Sequence, residues 1–230
     1  MYDVVKNYEK VGKEWIDKYS VIEESASINE CMEVSGSLNH EFRPVWPESR
    51  AVGAALTVRA RPGDNLIIHK AISMIKPGDI LVVTCDGFQE SGGMFGGIMS
   101  TSAKKMGASG LIIDGCVRDT MMMKKVGFPV WSRGISIKKS TKLTGGQINV
   151  PIVIGGVLVN PGDLIFADND AVVCIPREKV AETYEKAMAR EAHEDNMLER
   201  VLSEPELTTY NDDFRATYEA LGLREEADPV

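Results

Sequence analysis

Hydrophobic and polar positions change their spacing several times along the 230 residues of this chain. Val4, Val5, Tyr8, Val11, Trp15, Ile16 and Tyr19 recur at helical spacing and predict an amphipathic helix within residues 1–20. Ser27 stands three residues before Glu30, a capping-box pattern that predicts a second, short helix. Residues 40–50, with Pro44 and Pro47 around Trp46, predict an irregular loop. Residues 51–60 are small and β-branched and predict a strand. Residues 65–72 predict a helix capped by Asp64 or Asn65, with Asn65 and His69 four apart on one face. Strands are predicted over residues 80–84, 111–114 and 129–134, and a helix over 120–125. A β-prone region follows over residues 135–137, 147–154, 157–159, 164–167 and 171–175. Residues 177–200 read as a long charged helix, and the acidic segment 203–230 as holding one more around 213–221. This order predicts an α/β fold in one compact domain over residues 1–230, with 177–230 as a helical C-terminal extension.

Pro-Gly-Asp occurs at residues 62–64, 77–79 and 161–163. Proline presets φ and glycine allows positive φ, so these copies read as tight turns feeding the next element.

Composition narrows the function classes. A hydrophobic fraction of 43% with 26% charged residues is that of a soluble globular protein. No apolar run approaches the ~18–20 residues of a membrane span, and the N-terminus has no signal-peptide core, so a cytoplasmic protein is expected. A net charge of −8 argues against nucleic acid or an anionic membrane as a partner held by bulk charge. An anionic substrate therefore needs a local basic site. Cys31, Cys85, Cys116 and Cys174 form no C-x-x-C pair. They read as small buried hydrophobes in a reducing compartment, with a reactive thiol open only for Cys116.

The strongest chemical signal lies in residues 92–119. Gly92, Gly93, Gly96 and Gly97 precede a small-residue helix, an apolar strand, and then Asp114-Gly-Cys-Val-Arg118-Asp119. Bare backbone N–H groups at a helix N-terminus suit an anion; a flexible turn with close helix packing is the other reading of these glycines. Arg118 presents a fork matched to a carboxylate or an α-keto acid. Asp119 is a hard oxygen ligand suited to Mg²⁺ or Mn²⁺; a solvated Arg–Asp turn is the alternative. Asn65 with His69 either lines a polar pocket or is structural. His193 with Glu191 and Glu194 either touches a metal or forms a solvated helix face. The glycine spacing matches neither a dinucleotide fingerprint nor a phosphate P-loop, and there is no H-E-x-x-H, no G-x-S-x-G and no obvious Schiff-base lysine.

The run Gly-Gly-x-x-x-x-x-Ala-x-x-x-Gly-x-x-Gly, followed by an apolar strand and Asp-Gly-x-x-Arg-Asp, resembles the RraA-like family. That family includes 4-hydroxy-4-methyl-2-oxoglutarate/4-carboxy-4-hydroxy-2-oxoadipate aldolases and the regulator of ribonuclease E activity. Arg43-Pro44, Trp46-Pro47, the Pro-Gly-Asp turns, Asn65-Leu66 with His69, and Phe128-Pro129-Val130 are similar to it as well, over about residues 25–200. The long C-terminal helix resembles the aldolase branch.

The resemblance implies a β-rich core like the swivelling phosphohistidine domain, flanked by helices, and homotrimers or homohexamers with active sites at subunit interfaces. It implies that Arg118 binds the pyruvate moiety and that Asp119 holds a divalent metal, Mg²⁺ or Mn²⁺. It implies that the backbone of the Gly96, Gly97, Ile98 and Met99 cradle binds the keto-acid end. Glu191 or Glu194 from a neighbouring subunit's C-terminal helix would help hold metal-bound water. One departure stands out: many aldolase members carry an acidic residue three positions after the metal-binding Asp, where this chain has Met122. The expected function is a metal-dependent lyase that cleaves a 4-hydroxy-2-oxo diacid to release pyruvate, with oxaloacetate decarboxylation as a side activity. The alternatives are a non-enzymatic regulator that binds a ribonuclease, or another reaction on a hydroxy or oxo acid on the same scaffold.

Overall fold

The computed structural model describes residues 4–87, 90, 92–203 and 211–223. They divide into two compact units, Met1–Ala187 and Met188–Val230. The first unit opens with α1 (Lys13–Tyr19), α2 (Ser25–Asn29), β1 (Arg43–Pro44), β2 (Ala51–Arg59) and α3 (Leu66–Ile72). Then come β3 (Asp79–Thr84), β4 (Gly93–Phe95), α4 (Gly97–Lys105), β5 (Gly110–Val117), α5 (Thr120–Val126) and β6 (Val130–Ile135). It closes with β7 (Gln147–Ile148), β8 (Ile152–Ile154), β9 (Val157–Val159), β10 (Leu164–Ala167) and β11 (Val172–Ile175). A 3₁₀ turn at Arg177–Lys179 leads into α6 (Val180–Ser203). The second unit holds the end of α6 and α7 (Asn211–Ala220).

The main sheet runs β1-β6-β5-β3-β2-β10-β11, with β4 also on β5 and β7 also on β2. Its centre is parallel, β6-β5-β3-β2, and its flanks are antiparallel. Parallel neighbours need crossovers, and α3, α4 and α5 occupy them. The central strands are buried on both faces, and alternate residues go to different cores. Leu56, Val58, Leu81, Val83, Leu111 and Ile113 pack with Ile68, Met99 and Met123 of the helices. Ala55, Ile80, Val82 and Ile112 pack instead with Trp131, Ile152, Ile154 and Ile165. The β8–β9 hairpin thus covers the face opposite the helices.

Three expectations are corrected. The expected helix within residues 1–20 begins, among the described residues, only at Lys13, and residues 1–3 lie outside the described residues. Before it, Val5 donates its N–H to Ile148 and Val11 to Gly162, at 3.1 and 2.9 Å. Pairing with the body of the fold overrides local propensity there. The capping box does not form: α2 has Glu24 at its N-cap, and Ser25 donates N–H and Oγ–H to the Asp168 carboxylate at 2.8 and 2.9 Å. Within the expected loop 40–50, Arg43 and Pro44 pair with β6.

The three Pro-Gly-Asp turns share one construction. Gly63, Gly78 and Gly162 have φ of 75°, 87° and 84°. Each following Asp donates its N–H to the carbonyl three residues back, and each is buried. Asp64 does more than cap a helix. It accepts the N–H of Leu66 at 3.0 Å, the Thr141 hydroxyl at 2.7 Å, and the N–H groups of Leu143 and Thr144 at 2.6 and 3.2 Å. Burial alone would raise its pKa, but the donors from Leu143, Thr141, Leu66 and Thr144 outweigh burial and hold it at about 2.

Cys116 is buried in β5 and burial raises its thiol pKa; burial also pushes the Cys85 thiol up to about 12. Both thiols therefore stay protonated at neutral pH, which disfavours a reactive Cys116.

The depressed Asp64 pKa gives a signed pH test. Its stabilisation is present above the unfolded value of 3.8 and is lost as pH falls through about 2. Urea unfolding should show Asp64→Asn destabilised by roughly 2 kcal/mol at pH 7, with the gap to wild type closing as pH falls toward that folded value. A gap that does not change with pH would remove the carboxylate from this role.

Candidate active site

The parallel strands of an α/β sheet present their carboxyl ends on one edge, where ligands of such folds lie. β5 is the longest of the buried strands after β2, and Arg118-Asp119 follows its last residue. The glycine segment returns to that same end. β4 pairs with the tip of β5, Gly93 opposite Cys116 and Phe95 opposite Val117, and Arg118 donates its N–H to Phe95 at 2.9 Å. The two loops separated by some twenty residues in sequence thus meet at the end of β5.

Asp119 has left-handed backbone, φ 59° and ψ 39°, uncommon outside glycine but tolerated by Asp. It precedes α5 but does not cap it with its side chain. The carboxylate turns to α4 instead, and Oδ2 accepts the Gly97 N–H at 3.0 Å. Arg118 Nε lies 3.9 Å from the same oxygen. Asp119 Oδ1 has no protein partner among the described residues, and about half of the side chain is open to solvent (52%).

The glycines are required by close approach. A Cβ at Gly96 would stand 2.6 Å from Asp119 Oδ2 and 3.3 Å from Arg118 Nε. One at Gly97 would stand 2.7 Å from Met122 Cγ. The first three N–H groups of a helix have no intrahelical acceptor. Here Gly97 gives its N–H to Asp119, leaving those of Ile98 and Met99 as free donors among the described residues. Ile98 is exposed and Met99 is buried.

Asn65 and His69 part company. Asn65 is the buried N-cap residue of α3; its Nδ2 donates to Met94 O at 2.9 Å, directly beneath the glycine segment, and its Oδ1 is buried without a hydrogen bond. His69 is exposed, and partial burial together with the Lys142 charge lowers its pKa. Glu191 and Glu194 belong to the second unit, where Glu194 pairs with Arg190 Nη2 at 2.7 Å.

No group of three His, Cys, Asp or Glu side chains able to hold a metal exists among the described residues. One free carboxylate oxygen, at Asp119, with an open solvent side fits Mg²⁺, which keeps several waters and uses one or two protein carboxylates. Met122, beside Gly97, offers no oxygen. Sequence reasoning placed Asp114 in the motif but gave it no role of its own: it is buried in β5 and accepts Arg133 Nη1 at 2.9 Å, bracing the strand that carries the pair. A carboxylate within an apolar strand was the available signal for it.

Comparison with known proteins bears on the family and the fold. The family model described as RraA-like, Aldolase/RraA, matches residues 21–174. A protein of Halalkalibacterium halodurans named "Putative 4-hydroxy-4-methyl-2-oxoglutarate aldolase" is 35% identical over 177 residues, 77% of this chain and 83% of that protein. A crystal structure of an uncharacterized protein from Pseudomonas syringae pv. tomato superposes with a TM-score of 0.75 at 26% identity, covering 86% of this chain and 96% of that one. Streptomyces coelicolor RraAS2, described as an unusual member of the RNase ES inhibitor RraA protein family, gives 0.74 at 25% identity, covering 83% and 98%. With its α/β fold and its matched sequence in agreement, this chain belongs to the RraA-like family.

Proposed function

We propose that the protein is a divalent-metal-dependent lyase that cleaves a 4-hydroxy-2-oxo diacid by a retro-aldol reaction and releases pyruvate. The single observation that carries this reading is the convergence of Arg118, the Asp119 carboxylate and the α4 N-terminus at the end of β5. The similarity to the Halalkalibacterium halodurans protein supports it.

In this reading Asp119 Oδ1 would hold Mg²⁺ or Mn²⁺, which supplies positive charge beside the C2 carbonyl and acidified water. Arg118 binds the 1-carboxylate and carbonyl end of the substrate in its fork. The free N–H groups of Ile98 and Met99 add positive potential at the helix terminus. When the C3–C4 bond breaks, its electron pair moves into the C2–C3 unit and negative charge grows on the C2 oxygen. The 4-hydroxyl gives up its proton to water on the open side of the site, C4 becomes a carbonyl, and the enolate left behind takes a proton from water at C3 to become pyruvate. Arg118 and the helix terminus stabilise the developing oxyanion without reorganising. Decarboxylation of oxaloacetate develops charge on the same oxygen and is the expected side activity.

Apolar side chains are exposed around this site: Ile98 and Met121 at the starts of α4 and α5, and Ile135 and Ile137 at the end of β6 and just beyond it. They favour a neighbouring copy closing the site, in the homotrimer or homohexamer expected above, with Glu191 or Glu194 of that copy's C-terminal helix reaching the metal waters. The likeness to RraAS2 favours a second reading, a ribonuclease-binding regulator. Pull-down with ribonuclease E, with no turnover on any oxo acid, would choose that reading.

Pyruvate release from 4-hydroxy-4-methyl-2-oxoglutarate or oxaloacetate, followed through lactate dehydrogenase with Mg²⁺ or Mn²⁺, is the direct test. Arg118→Gln should lower kcat/KM by about a hundredfold. No turnover by folded wild-type protein across both substrates would sink the lyase reading. Gly96→Ala should displace the Asp119 carboxylate and cost about tenfold or more in activity, while urea unfolding stays close to wild type. Met122→Asp should tighten Mn²⁺ binding roughly tenfold, read by electron paramagnetic resonance of free Mn²⁺. An unchanged affinity would show that position 122 does not face the metal.

A further inference from the structure

We propose that a second cleft, at the carboxyl ends of β2 and β3, binds a small molecule bearing a carboxylate or phosphate group, independently of the Arg118–Asp119 site. The cleft has a volume of about 480 Å³ and is lined by Arg59, Arg61, Asp86, Thr144, Gly146 and Gln147, among others. That volume suits a small-molecule ligand.

The wall is built by backbone approach. Gly146 lies so close to β2 that a Cβ there would stand 2.2 Å from the Arg59 carbonyl oxygen. Behind it, residues 141–144 are anchored by the Asp64 carboxylate, which takes the N–H groups of Leu143 and Thr144. Arg59, the last residue of β2, is held rather than free. Its Nη1 donates to Gln147 Oε1 at 2.9 Å, and its Nε lies 3.2 Å from Asp86 Oδ1 without making a hydrogen bond. Its remaining guanidinium N–H groups are available.

Two residues on, Arg61 is exposed and has no ion pair or side-chain hydrogen bond among the described residues. The Thr144 hydroxyl is buried and has no hydrogen-bond partner among the described residues. Among the described residues lining the cleft, two guanidinium groups stand against the Asp86 carboxylate in a chain whose overall charge is −8, while the Asp64 charge behind the wall is already taken up by four donors. Such a local basic site is what a negatively charged protein needs to hold an anion. A cation is disfavoured by both arginines. An oxyanion satisfies the Arg61 fork, the spare N–H groups of Arg59 and the orphaned hydroxyl together.

Isothermal titration of the full-length protein with inorganic phosphate and, separately, with succinate, against sodium chloride at matched ionic strength, tests the site. Saturable binding of either anion is expected. Arg61→Gln should weaken it by about tenfold or more, and Thr144→Val by a few fold. Arg118→Gln should leave it unchanged, which separates this site from the proposed substrate site. The tighter of the two probes identifies the ligand as a phosphate or a carboxylate compound. Absence of saturable binding by both probes overturns the proposal. So does binding that survives Arg61→Gln, or binding that is lost in Arg118→Gln.

Discussion

The Asp119 carboxylate, bonded through Oδ2 to the Gly97 N–H at 3.0 Å, joins the end of the central strand to the start of α4. The bond needs three things at once. Asp119 must accept left-handed backbone, so that its side chain turns away from α5 and onto α4. Position 96 must lack a Cβ, which would otherwise stand against the same oxygen. Finally β4 must pair with the last residues of β5, which brings the glycine segment to the strand end. The remaining oxygen then faces solvent beside Arg118, one carboxylate serving as both cap and candidate ligand. Backbone strain of this kind persists where the surroundings over-determine it, and it concentrates at functional sites.

Around that bond, buried polar side chains set the frame. Asp168 accepts Ser25 N–H and Oγ–H and the N–H groups of Asp170 and Ala171, while its own carbonyl takes the Trp131 indole N–H at 2.6 Å. Arg133 bridges Asp114 on β5 and Glu41. Burial would lower the Arg133 pKa, but the hydrogen bonds it donates to the Asp114 and Glu41 carboxylates raise it, so the guanidinium stays charged. Such groups stabilise only when every partner is present. They hold the strand ends still while the apolar cores on the two faces supply the driving force for collapse.

Much of this was legible in the chain itself. The strands at residues 51–60 and 80–84 and the helices at 65–72 and 120–125 match the observed elements to within a few residues. Their apolar spacing and local propensity agree with their burial. The expected strand at 147–154 breaks in two. Asn149 has φ of 58° and precedes Val150 and Pro151, so β7 joins β2 while β8 leaves to pair with β9. Residues 4–11 were illegible for a different reason. Their spacing is helical, yet their backbone donors find acceptors at Ile148 and Gly162, far along the chain.

The sequence alone determined the α/β class, the three Pro-Gly-Asp turns and the loop pair around Arg118-Asp119, because each rests on local signals: side-chain period, the φ preferences of Pro and Gly, and residue chemistry. Only the tertiary structure decided which backbone donors stay free. It gave the Gly97 N–H to Asp119, buried Asn65 beneath β4 while leaving His69 in solvent, and placed Arg59 and Arg61 with Thr144 in a separate cleft. Those outcomes depend on contacts between residues tens of positions apart. Whether a polar group is satisfied is a property of the packed chain, and no local stretch of sequence carries it.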